Sequence, residues 1–369
     1  MSPRDEMPCD RFPERAPDAF LRCGSPMKLW VPSLSAGSGA EIFDQRLARA
    51  LDRIGVVCEL TPLPRSWQLF PWSLRSLSMP VGTSAIIANN HIAFALTGRG
   101  IPVVGVEHHC VLDRSYRPYC TALQSVYHRI LVRRFESASL HRANAVVAVS
   151  RYTAQSLQAV FGLTTAQVIP NGVETDFFCP DAQPKPELNG RRVRLLFVGN
   201  LTRRKGADLL PAIMEALGPR YELRFTAGLR AEEFKWDGSN LIPLGFLTPE
   251  QLRTEYRRAD LLLFPTRFEG FGYVAAEAMS CGTPVVATRC SSLPEIVDDG
   301  QTGVLCRMND VRGFAEAIRS LTYDIDRLRC MGLVARSTAV KRFGLERMAR
   351  AYAQLVDEVG RDSAGCRTA

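Results

Sequence analysis

The chain has 369 residues, 46% hydrophobic and 23% charged, with a formal net charge of +8 and a pI near 9.0. That length holds about two domains, each with a core, and the composition is that of a globular protein with no run near the roughly 18 apolar residues of a membrane span. No charged start leads into an apolar signal segment, which points to the cytoplasm, and eleven cysteines without a CxxC pair exclude a zinc framework and a disulfide scaffold.

The positive balance calls for an anionic partner. No nucleic-acid motif is present and the arginines are spread, so nucleic acid is not expected. An anionic lipid surface and a nucleotide-linked substrate fit the charge equally well.

Residues 1–26 are proline-rich with mixed charge and are expected to form a disordered or loosely packed tail. From residue 27 an apolar strand (MKLWVP) enters SLSAGSGA, where Gly37 and Gly39 make a first strand-to-helix corner. A helix follows over 41–54, with Ile42, Phe43, Leu47, Leu51 and Ile54 on one side. Short apolar runs at 56–60, 85–88, 102–106 and 145–149 read as buried parallel strands of an α/β sheet. Between residues 60 and 85, Trp67, Phe70, Trp72, Leu74 and Leu77 alternate with Arg65 and Arg75. Two readings stand there: aromatics beside arginines docking at a membrane interface, or the commoner packed loop with its large side chains inward.

His108 and His109 follow the strand that ends at Val106, at the carboxyl edge where open α/β sheets bind ligands. Either imidazole can exchange a hydrogen bond with a sugar hydroxyl near neutral pH. Asp113 and Tyr116 follow closely and are candidates for the acceptor side. A long helix over 121–142 carries Arg129, Arg133, Arg134, His141 and Arg142, a basic face either solvated or turned to an anionic surface.

The segment VIPNGVETDFF, with its Pro-Asn-Gly turn, interrupts the pattern, and residues 180–192 read as linker. A second series opens with RLLFVGN, ending in Gly199 and Asn200. Arg203, Arg204 and Lys205 then stand before Gly206 and a helix, and three cations at such a corner suit a pyrophosphate. Strands follow at 223–226, 241–244, 261–264, 284–287 and 304–306, and a helix over 345–359.

The most informative stretch of this series is LLLFPTRFEGFGYVAAEAMSCG. A strand over 261–264 runs through Gly270 and Gly272 into a helix over 273–280, whose first N–H groups and macrodipole form an anion site. Two carboxylates flank that corner, Glu269 before the helix and Glu277 within it. Apolar neighbours of Glu277 indicate a buried helix, where a carboxylate needs a partner.

Together the VIPNGVETDFF junction, the VGNLTRRKG corner and EGFGYVAAEAMSCGTPVVAT resemble the GT-B glycosyltransferases of family 4, over about residues 27–359. The resemblance implies an α/β protein of two Rossmann-like domains facing across a deep cleft. The first would span 27–170, the second 171–344, with the helix at 345–360 packing back on the first. It also implies a retaining, metal-independent hexosyltransferase that needs no cofactor. Its partners would be a nucleotide-diphosphate sugar donor and a glycan or lipid-linked acceptor, in cell-surface polysaccharide or glycolipid assembly, with peripheral contact to the inner face of the cytoplasmic membrane.

By the same resemblance Glu269 would hold donor-sugar hydroxyls and Glu277 the ribose. The backbone of Phe271, Gly272, Tyr273 and Val274 would cradle the distal phosphate and sugar. Lys205 would meet the departing pyrophosphate, with Arg204 as accompanying cation because Asn200 stands where many members carry arginine. Gly39 matches the amino-terminal glycine loop. His108 aligns with a histidine near the donor sugar and the acceptor oxygen in some relatives, with His109, one position on, as the alternative. A phosphorylase or epimerase on the same fold, and a non-catalytic nucleotide-sugar binder, are the competing readings.

Overall fold

The computed structural model describes residues 21–22, 25–35, 37–183, 185, 188, 190–228 and 238–365. Most of the expected loose tail lies outside them; at its end Leu21–Arg22 pairs with Ser25–Pro26 as a short antiparallel ribbon.

Two parallel sheets of six strands form the framework. The first holds β1 (Lys28–Leu34), β2 (Val57–Leu63), β3 (Ala85–Asn89), β4 (Val103–Glu107), β5 (Ala145–Ala148) and β6 (Gln167–Val168), in the order β2-β1-β3-β4-β5-β6. The second holds β7 (Val193–Phe197), β8 (Tyr221–Thr226), β9 (Leu241–Gly245), β10 (Leu261–Phe264), β11 (Val285–Thr288) and β12 (Gly303–Cys306), ordered β9-β8-β7-β10-β11-β12. Central strands such as LLLF and VVAT are buried along their whole length, as apolar runs covered on both faces must be. Each order reverses once, between β1 and β3 and between β7 and β10. Ligands of doubly wound sheets bind outside the carboxyl ends at such points.

Helix α1 (Gly39–Arg53) starts where Ser38 accepts a hydrogen bond from the Glu41 N–H, and Glu41 and Arg53 complement its dipole. Helix α2 is one rod of three parts: Ala122–Tyr127, a π turn at His128–Val132, and Arg133–Arg142. Helix α3 (Tyr273–Ser280) follows β10, and α4 (Leu345–Gly365) ends the described chain. The Phe43 and Tyr352 rings, 5.7 Å apart, show α4 packed back on α1 of the first domain. Val173 and Gly344 bridge where the two crossings between domains run side by side. A Cβ on Gly172 would lie 2.9 Å from the Leu345 backbone, so only glycine lets the crossings touch.

The stretch between residues 60 and 85 is a packed loop in part, with Trp67 and Leu77 packed against the core cluster that holds Leu74. It forms two short 3-10 turns that bury Leu74 but leave Leu69, Phe70 and Trp72 about half exposed.

Candidate active site at the domain interface

The loops after β7 and β10 meet at the strand-order reversal of the second sheet. Gly206 has a φ of 75°, and a Cβ there would stand 2.0 Å from the Pro265 carbonyl oxygen, so glycine is what allows these loops to touch. Their contact brings Lys205 Nζ to 2.6 Å from Glu269 Oε1, which also accepts from the Thr266 hydroxyl at 2.8 Å. Arg204 lies 3.8 Å from the same oxygen and donates to the Phe268 carbonyl. Burial would raise the Glu269 carboxyl, but the Lys205 and Arg204 cations outweigh it and hold Glu269 below the ordinary range. Burial lowers Lys205, with Glu269 opposing.

Serines fix the backbone around Glu269. Ser291 Oγ accepts from the Glu269 N–H at 2.9 Å, and Ser292 Oγ donates to the Phe271 carbonyl at 2.8 Å. Ser291 does this at a φ of 44°, a left-handed conformation unusual for serine. Gly199, at φ 147°, donates its N–H to Thr226 Oγ1 and packs beside the Lys205 stem, while Asn200 Oδ1 rests against the backbone of Gly228.

Gly272, at φ 104°, begins α3 without a side-chain cap, leaving the cap role at the first turn, Tyr273 and half-buried Val274, open to an anion. The Phe271 ring is core, packed on Phe343. Glu277 is buried as expected and has its partners: Arg46 Nη2 at 2.7 Å on Oε1 and the Tyr256 hydroxyl at 2.9 Å on Oε2. Arg46 comes from α1, so this bridge joins the domains. Its Nε lies 2.6 Å from Glu174 Oε2, and its guanidinium stacks 4.6 Å from the Tyr273 ring centroid. Two acceptor sites remain on the Glu277 carboxylate for hydroxyls.

The first domain closes directly over this corner. A Cβ on Gly270 would fall 1.8 Å from the His108 carbonyl oxygen. His108 packs edge-on to Phe43 at 4.8 Å, and its Nε2 is buried without a hydrogen-bond partner. Burial, reinforced by His109, lowers His108 to about 3. Burial and the Arg204 cation lower His109 to about 4, so both rings are neutral near pH 7. His109 packs against Phe268 and Tyr116, and Tyr116 against Phe268 at 5.1 Å. Asp113 is bound within its own domain, by the Tyr152 hydroxyl at 3.0 Å, Ser156 and the Ser115 N–H. Gly37 donates its N–H to Glu41 Oε2 at 2.7 Å, and a Cβ on Gly39 would meet nothing within 4 Å. Glu295 of the second domain caps the helix Arg151–Phe161 of the first, accepting from the Arg151 and Tyr152 N–H groups at 2.8 and 2.7 Å.

The structure thus brings Arg204, Lys205, Glu269, His108 and His109 into one constellation. Arg46, Glu174, Tyr256, Ser291 and Ser292 belong to it and escaped sequence reasoning. For Arg46 the one legible signal was a charged residue on the helix that follows the first glycine corner.

Comparison with known proteins agrees with this geometry. The family model "Glycosyltransferase Family 4" matches residues 34–177, and "Glycosyl transferases group 1" matches residues 192–324, so each domain is matched by its own model. The D-inositol 3-phosphate glycosyltransferase of Corynebacterium jeikeium is 32% identical over 61% of this chain and 59% of its own. A GDP-mannose-dependent phosphatidylinositol monomannoside mannosyltransferase of Mycolicibacterium smegmatis is 30% identical over 54% and 58%. The chain therefore spans less than two thirds of the length of these curated relatives. Among solved structures, sucrose-phosphate synthase from Thermosynechococcus elongatus superposes with a TM-score of 0.75 at 20% identity, over 90% of this chain and 99% of that one. Anabaena Alr3699/HepE in complex with UDP-glucose gives 0.68 at 16%, over 90% and 100%. By its two domain matches and its two-sheet fold, the chain belongs to the GT-B glycosyltransferases of family 4.

Proposed function

We propose that the chain moves a hexosyl group from a nucleotide-diphosphate sugar to a glycan or lipid-linked acceptor, with retention at the anomeric carbon, in cell-surface polysaccharide or glycolipid assembly. The observation that carries this reading is the Lys205–Glu269 pair at the strand-order reversal, close enough across the interface to the His109 imidazole for Arg204, Lys205 and Glu269 all to act on it. The mannosyltransferase and inositol-phosphate transferase names of relatives, and UDP-glucose in a structural neighbour, support a nucleotide-sugar donor.

In this reading the diphosphate lies at the start of α3, where unpaired N–H groups and the helix dipole meet its charge. Lys205 and Arg204 stabilise the additional negative charge of the leaving diphosphate. Glu269, kept ionised, accepts hydrogen bonds from sugar hydroxyls, and Glu277 uses its free acceptor sites for the ribose. His108, neutral, donates or accepts at a sugar or acceptor hydroxyl. The bond from anomeric carbon to leaving oxygen breaks as the acceptor oxygen approaches on the same face. The leaving phosphate takes the acceptor's proton, so no protein carboxylate has to act as nucleophile.

The test is turnover by purified protein against UDP-, GDP- and ADP-sugars, with the anomeric configuration of the product read by NMR. Retained configuration, with turnover lost in Glu269→Ala and Lys205→Ala, supports the reading. Unchanged turnover in both variants overturns the site, and an inverted product overturns the mechanism.

A further inference from the structure

The helix Ile325–Phe343 is apolar on two faces. Its inner face buries Leu328, Met331, Ala335, Ala339 and Phe343. It lies so close behind α3 that a Cβ on Gly332 would stand 2.6 Å from the Gly282 carbonyl oxygen. Arg336 adds hydrogen bonds to the Thr175 and Ser280 carbonyls at 2.7 and 2.9 Å, so the helix is a fixed platform. Its outer face carries Cys330, Leu333, Val334 and Val340, again at helical spacing. All four are exposed, Leu333 by 73%, Val340 by 45% and Val334 by 42%. A helix with one packing partner turns charged and polar residues outward, whereas one apolar on both sides is built to be covered twice.

The charges along the outer face decide between partners. The strip begins with Asp326 and ends with Lys341, both exposed. The point midway between these two falls between Leu333 and Val334. A second copy of the helix laid antiparallel about that point sets Asp326 opposite Lys341 at both ends, with Leu333 opposite Val334 at the centre. Between them Cys330 falls opposite Ser337, and Val340 opposite the aliphatic stem of Arg327. No like charges meet in this register. Parallel pairing would place Asp326 on Asp326 and Lys341 on Lys341, which repel. Unlike charges at the two ends of a short apolar strip therefore fix both direction and register. A face that complements itself under a two-fold rotation is what an isologous dimer requires.

We propose that this face pairs with its own counterpart on a second copy of the chain, as an antiparallel helix pair centred between Leu333 and Val334. The strip is small, so the dimer is a weak one that forms as concentration rises. Pairing draws on none of the residues placed in the candidate active site, so it stands or falls apart from sugar transfer.

The experiment is sedimentation equilibrium of the full chain over a concentration series reaching about 100 μM. A monomer–dimer equilibrium should appear. Asp326→Lys and Lys341→Asp should each raise the dissociation constant about tenfold, because each sets like charges opposite one another at both ends of the strip. Combined, they should return it to within about threefold of the native value. Leu333→Ser with Val334→Ser should abolish pairing while the unfolding temperature is kept, because both side chains are exposed. Register is read separately by Ser337→Cys, which on mild oxidation should link to Cys330 of a second chain. One chain cannot make that bond with itself, since the two positions lie about 10 Å apart along the helix. A chain that stays monomeric throughout the series overturns the proposal and leaves the face to a different protein. A dimer indifferent to these substitutions, or single charge reversals that the double exchange does not repair, overturns it equally.

Discussion

Lys205 Nζ and Glu269 Oε1 lie 2.6 Å apart although they are 64 positions apart in the chain. Neighbouring strands β7 and β10 deliver them, and Gly206 lets their loops touch. Both side chains are largely buried, so deleting one charge strands the other. Lys205→Met should lower stability by about 3 kcal/mol and transfer by about a hundredfold or more. Pairing it with Glu269→Gln should restore much of the stability without restoring transfer. Urea unfolding alongside a transfer assay separates the two; equal activity in Lys205→Met would remove Lys205 from the site.

Gly270 supplies the second prediction. Its α-carbon faces the His108 carbonyl so closely that an added methyl would stand 1.8 Å from it. Gly270→Ala should leave each domain folded and nucleoside diphosphate binding nearly intact, but prevent the first domain from closing. Calorimetric affinity should change less than threefold while kcat falls about a hundredfold. Parallel losses of affinity and kcat would mean that the loop itself has been disrupted.

These two contacts show what the sequence could and could not disclose. Local chemistry was legible: the apolar runs became strands, the cations of VGNLTRRKG and Glu269 fell just past strand ends, and Glu277 fell in a buried helix. Those signals reside in neighbours along the chain. The Arg46–Glu277 bridge spans 231 positions and depends on how the domains meet, which periodicity does not encode. For Phe70 and Trp72 the letters left two readings open, exposed and packed, because aromatics beside arginines suit an interface and a packed loop alike. Ser291 in a left-handed turn gave no local sign, since glycine is the residue that announces such a backbone.

Arg46 is the third test. It holds Glu277 from the opposite domain while also pairing with Glu174. It is therefore a positioning residue for the proposed ribose contact. Arg46→Met should raise the donor KM about tenfold, leave kcat within about threefold, and lower stability by about 3 kcal/mol, because buried Glu277 is left with Tyr256 alone and Glu174 with Arg49. Arg46→Lys, which keeps charge but loses the planar fork, should fall between. A deoxyribose-containing donor probes the role directly: the variant's KM penalty should shrink with it. An identical penalty for both donors would make Arg46 purely structural.

The histidines and Glu107 give the pH dependence of stability opposing slopes. Burial lowers His108 to about 3 and His109 to about 4, against about 6.5 in the unfolded chain. Below 6.5 the unfolded state binds protons that the folded state refuses, so this contribution is present above pH 6.5 and is lost as pH falls toward 4. Glu107 behaves oppositely. Burial raises it to about 7, although Asn90 and the His109 N–H donate to it. Between about 4.5 and 7 the folded state holds the extra proton, so stability from this group falls as pH rises through that window. Glu107→Gln keeps an oxygen for Asn90 and removes the charge; it should stabilise the protein by about 2 kcal/mol at pH 8 and by nearly nothing at pH 4.5. His109→Gln should reduce acid destabilisation between pH 6.5 and 4 without altering the alkaline side. Urea titrations at half-unit pH steps read both effects, and an equal shift from Glu107→Gln at pH 4.5 and pH 8 would show that its carboxyl titrates normally in the folded chain.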